Sequence, residues 1–377
     1  MIRVAIIGTG SIAHSHAAAY ASFSERCKVV ALVNRHEDKA ILLRDKFQFD
    51  CKVMQDYKEL LHEEEIDLVS ICTPPQMHAE IASDLLRAGK HVLVEKPMAM
   101  SLEECDQMLA AAAESGCILS VVGQNRFHEP NWNLKHILDS GLPGKIVHAQ
   151  VNSYHWRGES YYDLWWRGTW EQEGGGCTLN HGVHHMDMLL WMMGMPQSVQ
   201  AVMSNTSHPN SEVEDISIAI LSYAGGSLAQ ITSSVIHHGE ERQMVFQGEH
   251  ARISSPWKVY ASTAKDNGFP ERNPALETEI EAYRGGIEPL LYSGFEGQVD
   301  NILTAIENGS HQVLIDGQDG RNVLELITAV YEASITKQPV SLPLAKDNPF
   351  YTREGLLALA PRFNAKTRPA LNASEQQ

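Results

Sequence analysis

The sequence predicts an α/β chain in two parts: a doubly wound parallel sheet, followed by a domain built on a large open, mainly antiparallel sheet. Three observations predict it. Over the first third, short apolar runs alternate with amphipathic stretches, the pattern of strand–helix–strand units. After about Gly123, strand-like runs succeed one another with few helices between. A glycine cluster sits at the first strand-to-helix junction.

In order, residues 2–7 read as a short apolar strand and about 11–23 as a helix. A strand at 29–33, a helix at 40–47 and a strand at 66–72 follow. The helix at 76–88 is closed by Gly89, suited to the left-handed position after a helix. Residues 91–95 form a strand. Ser101-Leu102-Glu103-Glu104 has the capping-box form and opens a helix through Ala113, and a strand at 118–122 ends the series. Beyond it come a helix near 132–138 and strands at 146–154, 199–204, 216–222, 228–236, 244–247 and 259–262. Helices near 297–307 and 319–334 close the domain. The expected division is 1–123 as a dinucleotide-binding domain and 124–364 as a substrate-binding and oligomerisation domain. A polar tail at 365–377 is expected to be disordered.

A chain of 377 residues exceeds the roughly 250–300 that one core sustains, which agrees with two domains. Its 30 basic and 47 acidic residues give a formal net charge of −17, without a basic stripe for nucleic acid or an anionic membrane surface. A neutral substrate suits this balance better than a polyanion. No apolar stretch reaches the ~18 residues of a membrane helix, no signal peptide is read, and the six cysteines are scattered without C-x-x-C. The expected compartment is the cytoplasm, with reduced thiols.

Gly8-Thr9-Gly10-Ser11-Ile12-Ala13 is G-x-G-x-x-A between a strand and a helix, where glycines let the backbone approach a pyrophosphate and the helix N-terminus attracts its charge. Gly8, Gly10, Ser11 and Ile12 are therefore candidate cofactor contacts. The second strand ends in Asn34-Arg35, not in the acid that reads a ribose hydroxyl in NAD enzymes. Arg35 could meet a 2′-phosphate, which tilts the choice from NAD toward NADP. Thr73-Pro74-Pro75 ends the next apolar strand, at the edge where doubly wound sheets hold ligands; a plain structural turn is the competing reading. Glu95-Lys96-Pro97 puts a lysine at a strand's carboxyl end, where it could steady a substrate oxygen.

The densest signal is Gly174-Gly175-Gly176-Cys177-Thr178-Leu179-Asn180-His181-Gly182-Val183-His184-His185-Met186-Asp187. Read as one helix, it puts Asn180, His184 and Asp187 on a common face, with His184 as the natural proton acceptor near neutral pH. His181 and His185 have metal-like spacing, but no third-ligand pattern and no H-E-x-x-H accompany them, so no metal is expected. Four of the seven tryptophans fall within 156–170, among Tyr154, Tyr161, Tyr162, Arg157 and Arg167. Such a run suits either a sugar pocket or a subunit interface.

Together these motifs resemble the glucose–fructose oxidoreductase / inositol dehydrogenase / rhizopine-catabolism (Gfo/Idh/MocA) family. The match runs in order over nearly the whole chain. It takes in Gln124-Asn125-Arg126-Phe127, Trp166-Arg167, the closing Asp319-Gly320-Arg321 helix with Tyr331-Glu332-Ala333-Ser334, and residues 340–343. The resemblance implies a Rossmann domain, then an open sheet whose outer face forms a homodimer or homotetramer. It implies an NAD(P)-dependent oxidoreductase acting on a carbohydrate, polyol or inositol hydroxyl. Thr73, Pro74, His78, Glu95, Lys96, Gln124, Trp166 and Arg167 would join the cofactor contacts. Lys96, Arg126, Tyr154, Arg157, Tyr162, Asn180 and His184 would contact substrate, with Lys96, His184 and Asn180 catalytic. The sequence departs from the commonest pattern in having Asn180 where many members have aspartate, so the proton would rest on His184 with Lys96. Competing readings are a non-catalytic dinucleotide/sugar sensor, a metal-assisted lyase or isomerase, and a redox-neutral cycle on a retained cofactor.

Overall fold

The computed structural model describes residues 1–366; the rest of the expected tail, 367–377, lies outside the described residues. The chain begins β1 (Ile2–Ile7), α1 (Ala13–Ala21), β2 (Cys27–Val33), α2 (Glu37–Phe47), β3 (Lys52–Met54), β4 (Leu68–Ile71), α3 (His78–Arg87), β5 (His91–Val94), α4 (Leu102–Ser115) and β6 (Leu119–Val121). It continues with α5 (Glu129–Asp139), β7 (Ile146–Tyr154), α6 (Trp170–Glu173), α7 (Cys177–Asn180), α8 (Val183–Met193), β8 (Ser198–Ser204), β9 (Ile216–Ser222), β10 (Leu228–Ser234), β11 (Arg242–Gly248), β12 (Ala251–Ser255), β13 (Lys258–Ala264) and β14 (Pro270–Arg272). It ends with α9 (Pro274–Gly285), α10 (Gly294–Asn308), α11 (Gly317–Thr336), β15 (Val340–Ser341) and α12 (Arg353–Leu359).

Two compact units emerge. The first is Met1–His128 with Leu290–Leu324. Its six strands run in the order β3-β2-β1-β4-β5-β6, every pair parallel. All four residues of β4 are buried, as in a strand covered on both faces. Strand order reverses between β1 and β4, so a crevice opens beyond their carboxyl ends. Gly8, Cys72, Glu95 and Gly123 all lie at or just past that edge.

The sequence reading runs the second domain unbroken from 124, whereas residues 290–324 return to the first unit. The reason is apolar: Val299, Ile302, Leu303 and Ala305 of α10 are buried in one cluster with Val4, Ile6, Tyr20 and Phe23. Polar contacts lock the return. Gln298 accepts from the Gly123 N–H (3.0 Å) and donates to the Val121 carbonyl (2.8 Å). Arg126, 2% exposed, donates to the Leu314 carbonyl (3.0 Å) and pairs with Asp319 at 3.3 Å.

The second unit is Glu129–Pro289 with the chain from Glu325 onward. Its nine strands run β14-β13-β12-β11-β7-β10-β9-β8-β15. The β7–β10 pair is parallel and the others antiparallel. Strand β9 alternates buried and open positions, with Ile218 and Ile220 about half exposed. Strands β12, β14 and β15 and helices α9 and α12 were not anticipated; they are short, charged or begin at proline.

Arg126 was expected to touch substrate, but its guanidinium is buried against Asp319 within the first unit. Asp319→Ala should therefore destabilise that unit by about 3 kcal/mol in urea unfolding, the scale of a buried cation losing its partner. A loss under about 1 kcal/mol would show that the pair does not hold the return segment.

Candidate active site

At the carboxyl edge of the first unit, Gly8 has φ +85°, and a Cβ there would lie 2.7 Å from the Cys72 carbonyl oxygen. Glycine is required where β1's turn crosses the end of β4. A Cβ on Gly10 would meet nothing within 4 Å, so this side of the turn is open to a ligand. Helix α1 starts without a side-chain cap and without an acid in its first turn, so no negative side chain opposes an anion at its N-terminus. Buried Oγ1 atoms of Thr9 and Thr73 and the buried Oε1 of Gln124 have no hydrogen-bond partner. An acid-free helix start, an open glycine face and orphaned polar atoms at a switch point fit a dinucleotide. At the end of β2, Asn34 donates to the His36 carbonyl (2.8 Å) and Arg35 is exposed. Ser11 and Pro74 are exposed and Ile12 is partly so.

Two residues expected to touch the cofactor instead brace this edge. His78 is fully buried, with its ring nitrogens 2.8 Å from the Thr73 carbonyl and 3.0 Å from the Pro97 carbonyl, so neither faces a ligand. Glu95 is buried, 3.0 Å from His16 Nε2, and its other oxygen accepts from the Lys96 N–H (3.2 Å). His16 Nδ1 lies 3.2 Å from Ser70 Oγ, which also bonds the Tyr20 hydroxyl. Burial opposes a charge on His16, but Cys72 and Glu95 outweigh it and push its pKa up to about 10. Burial works the other way on Glu95, yet the His16 hydrogen bond and charge hold its carboxyl below the usual value. Lys96 thus stands, partly exposed, on a buried imidazolium–carboxylate pair.

In the second unit the expected single helix is two. Helix α7 ends at Asn180, and α8 starts at Val183 after the break at Gly182. The glycines serve packing: a Cβ on Gly175 would lie 2.0 Å from the Tyr331 hydroxyl, and one on Gly176 2.0 Å from the Glu214 carbonyl oxygen. The buried Glu214 carboxylate accepts from the N–H groups of Gly176 and Thr178 and from the Tyr331 hydroxyl. From Glu173 to Leu190 every residue is buried except Asn180 and His184. The Asn180 amide donates to the carbonyls of Gly175 (3.0 Å) and Gly176 (3.1 Å), a pair of bonds that an aspartate could not make. Asp187, expected beside them, is buried.

The aromatic run is braced by acids that sequence reasoning missed. Arg157 donates to Glu240 (2.7 Å), which also accepts from the Trp156 N–H. Arg167 lies over the rings of Tyr161 (4.2 Å) and Trp166 (4.3 Å), donates to Glu173 (3.1 Å) and bonds the Tyr161 hydroxyl. Burial pushes the Glu173 carboxyl up to about 7. Tyr162, expected to touch substrate, is buried edge-on to His208; its neighbour Tyr161 is the partly exposed ring. His208 in turn bonds Asp215 and the Arg157 carbonyl, each at 3.0 Å. Tyr154 stacks on His237 at 3.9 Å. Only the polyglycine beside Glu173 and the Gly239-Glu240 turn hinted at these partners. Among the described residues, no group of three or more His, Cys, Asp and Glu is set to hold a metal.

His155 and His185 are buried, and burial is the first cause that lowers each to about 4. The fold therefore favours the neutral rings. Their contribution to stability is complete above the unfolded pKa near 6.5 and is lost as pH falls from there toward 4, by about 1.4 kcal/mol per pH unit per ring at most. Thermal unfolding at pH 7.5 and 4.5 should show a loss that a His155→Phe/His185→Phe variant reduces. An equal loss in both proteins would show that these rings do not carry it.

Comparison with known proteins agrees with this geometry. Residues 2–122 match the model of an oxidoreductase family with an NAD-binding Rossmann fold, and residues 132–254 match the GFO/IDH/MocA C-terminal domain. D-glucoside 3-dehydrogenase of Escherichia coli is 29% identical over 364 residues, covering 90% of this chain and 97% of that one. The scyllo-inositol 2-dehydrogenase (NADP(+)) IolW of Bacillus subtilis is 26% identical, covering 78% and 84%. The WlbA dehydrogenase from Bordetella pertussis, solved with NADH and UDP-GlcNAcA, superposes with a TM-score of 0.77 at 25% identity, covering 91% and 98%. Levoglucosan dehydrogenase, at 22% identity and a TM-score of 0.78 over 91% of this chain and 100% of that one, shares the fold. With both domain models matched in order and the dinucleotide crevice in place, the chain belongs to the Gfo/Idh/MocA family and is an NAD(P)-dependent oxidoreductase.

Proposed function

We propose that the protein oxidises or reduces a ring carbon of a sugar, polyol or inositol, with Lys96 and His184 handling the hydroxyl. The observation that carries this reading is exposure. In a block of eighteen residues buried elsewhere, Asn180 and His184 are the two that are partly exposed. The ring-hydroxyl dehydrogenases among the relatives support the substrate class.

The cofactor would lie on the Gly8–Ile12 turn and the Thr73 and Gln124 side chains, and when bound it supplies the hydride acceptor or donor. Arg35 at the end of β2, with no acid beside it, favours NADP. In the oxidation direction His184 takes the hydroxyl proton, and the Lys96 ammonium steadies the oxygen as charge develops. Asn180 holds the glycine turn that leads to His184, and the proton resides on His184. Six free cysteines suit a reducing cytoplasm.

A second copy of the chain is proposed to cover the open face of the nine-stranded sheet. Strands β8, β9 and β10 contain no charged residue, in a chain of net charge −17. Val202 and Ile218, register partners, and Ile220 are each about half exposed there.

Two experiments test these readings. Wild type, Lys96→Met and His184→Ala are assayed with inositols, aldoses and glycosides, and NAD and NADP separately, by absorbance of the reduced nicotinamide. Each variant should lose at least about 100-fold in kcat with cofactor affinity largely kept; near-wild-type turnover overturns the assignment. Light scattering should find dimers or tetramers that Ile218→Glu/Ile220→Glu converts to monomers, and a monomeric wild type refutes the interface.

A further inference from the structure

We infer that the substrate is uncharged, a neutral sugar, glycoside or cyclitol and not a uronic acid or phosphate ester, because both guanidinium groups of the aromatic wall are already countercharged by carboxylates of their own unit. This deepens the reading above and rests on it.

A carboxylate or phosphate is recognised by an arginine fork free to bond it in pairs. Both arginines of the 156–170 run already give Nη1 to a carboxylate, so the charge of each is shared before a ligand arrives. Arg157 points its Nη1 at Glu240 (2.7 Å) and at the Trp156 carbonyl (2.6 Å). Glu240 holds its place through the Trp156 N–H (3.0 Å), from a loop position with φ +49°. Its other oxygen lies 3.8 Å from Arg242, an exposed residue adjoining Glu241. Arg167 is sandwiched between Tyr161 and Trp166, and Glu173 binds both its Nη1 and the Gly168 N–H (2.7 Å). An incoming anion would face these carboxylates at once, and a buried anion without an unshared cation is strongly disfavoured. The neighbouring His155 and His185 are held neutral by burial and add no positive charge. A hydroxyl asks less. It exchanges water for dipolar partners at little net change, while the aromatic rings offer surface to the apolar face of a sugar ring. The ammonium of Lys96 is assigned to the reacting oxygen.

The test uses matched pairs with the full-length protein and its preferred cofactor at pH 8, above the pKa near 7 to which burial lifts Glu173. D-glucose is paired with D-glucuronate, methyl β-D-glucoside with methyl β-D-glucuronide, and myo-inositol with an inositol monophosphate. The neutral member should have at least about 100-fold higher kcat/KM. Glu240→Gln and Glu173→Gln each release one guanidinium and should shift the acid-to-neutral ratio toward the acid by about tenfold or more. If Glu173→Gln fails to fold, Glu240→Gln on its half-exposed loop decides. Equal or better use of the acids by the wild type overturns the inference while leaving the dehydrogenase reading intact. A ratio unmoved in the folded variants overturns its arginine basis. No turnover of either series refutes the dehydrogenase reading itself, and the inference falls with it.

Discussion

The buried pair of His16 and Glu95 is the interaction on which the first unit's chemistry rests. It joins α1, which follows the glycine turn, to the end of β5, which carries Lys96, and through Ser70 it also reaches β4. Neither charge would be tolerated alone in that interior; together, each with its remaining hydrogen bonds met, they hold three elements in one register. With α1 anchored there, Gly8 crosses the end of β4 so closely that a Cβ on it would lie 2.7 Å from the Cys72 carbonyl oxygen. The dinucleotide turn and the lysine are therefore set by the same contact.

The second unit solves a similar problem with carboxylates. Glu214 caps the turn into α7 and accepts from Tyr331; a side chain on Gly176 would strike Glu214, and one on Gly175 would strike Tyr331. Asn180 then ties the turn's own carbonyls. The buried turn leads into α8, on which His184, the residue proposed above to take the proton, is partly exposed. Further along, Glu173 and Glu240 fix the arginines of the aromatic wall. Much of what resembled a row of ligand contacts in the sequence is scaffold, and the outward-facing groups are few.

These arrangements explain how a strongly acidic chain can act on a hydroxyl. In the aromatic run of the second unit the arginines are paired with carboxylates, and burial favours the neutral rings of His155 and His185. The family supplies the hydride chemistry through its cofactor; the chain supplies position, a proton site and an electrostatic setting suited to a polar but uncharged ring.

Local pattern was enough for the strand–turn–helix at Gly8–Ala13, because its glycines and flanking apolar run act within a dozen residues. It was enough for β7 and β9, strand-like runs whose expected ends at 146–154 and 216–222 match those observed, and for the two-sheet fold class. The order of motifs also sufficed to name the family and its oxidoreductase chemistry. What the tertiary structure alone decided is where side chains look. Arg126 turned inward to Asp319, 193 residues away, Glu95 to His16, 79 residues back, and Tyr162 to His208; residues 290–324 returned to the first unit to cover its apolar surface. Burial and ion pairing depend on partners distant in sequence, which composition and periodicity do not record, whereas helix and strand periods are properties of neighbours along the chain.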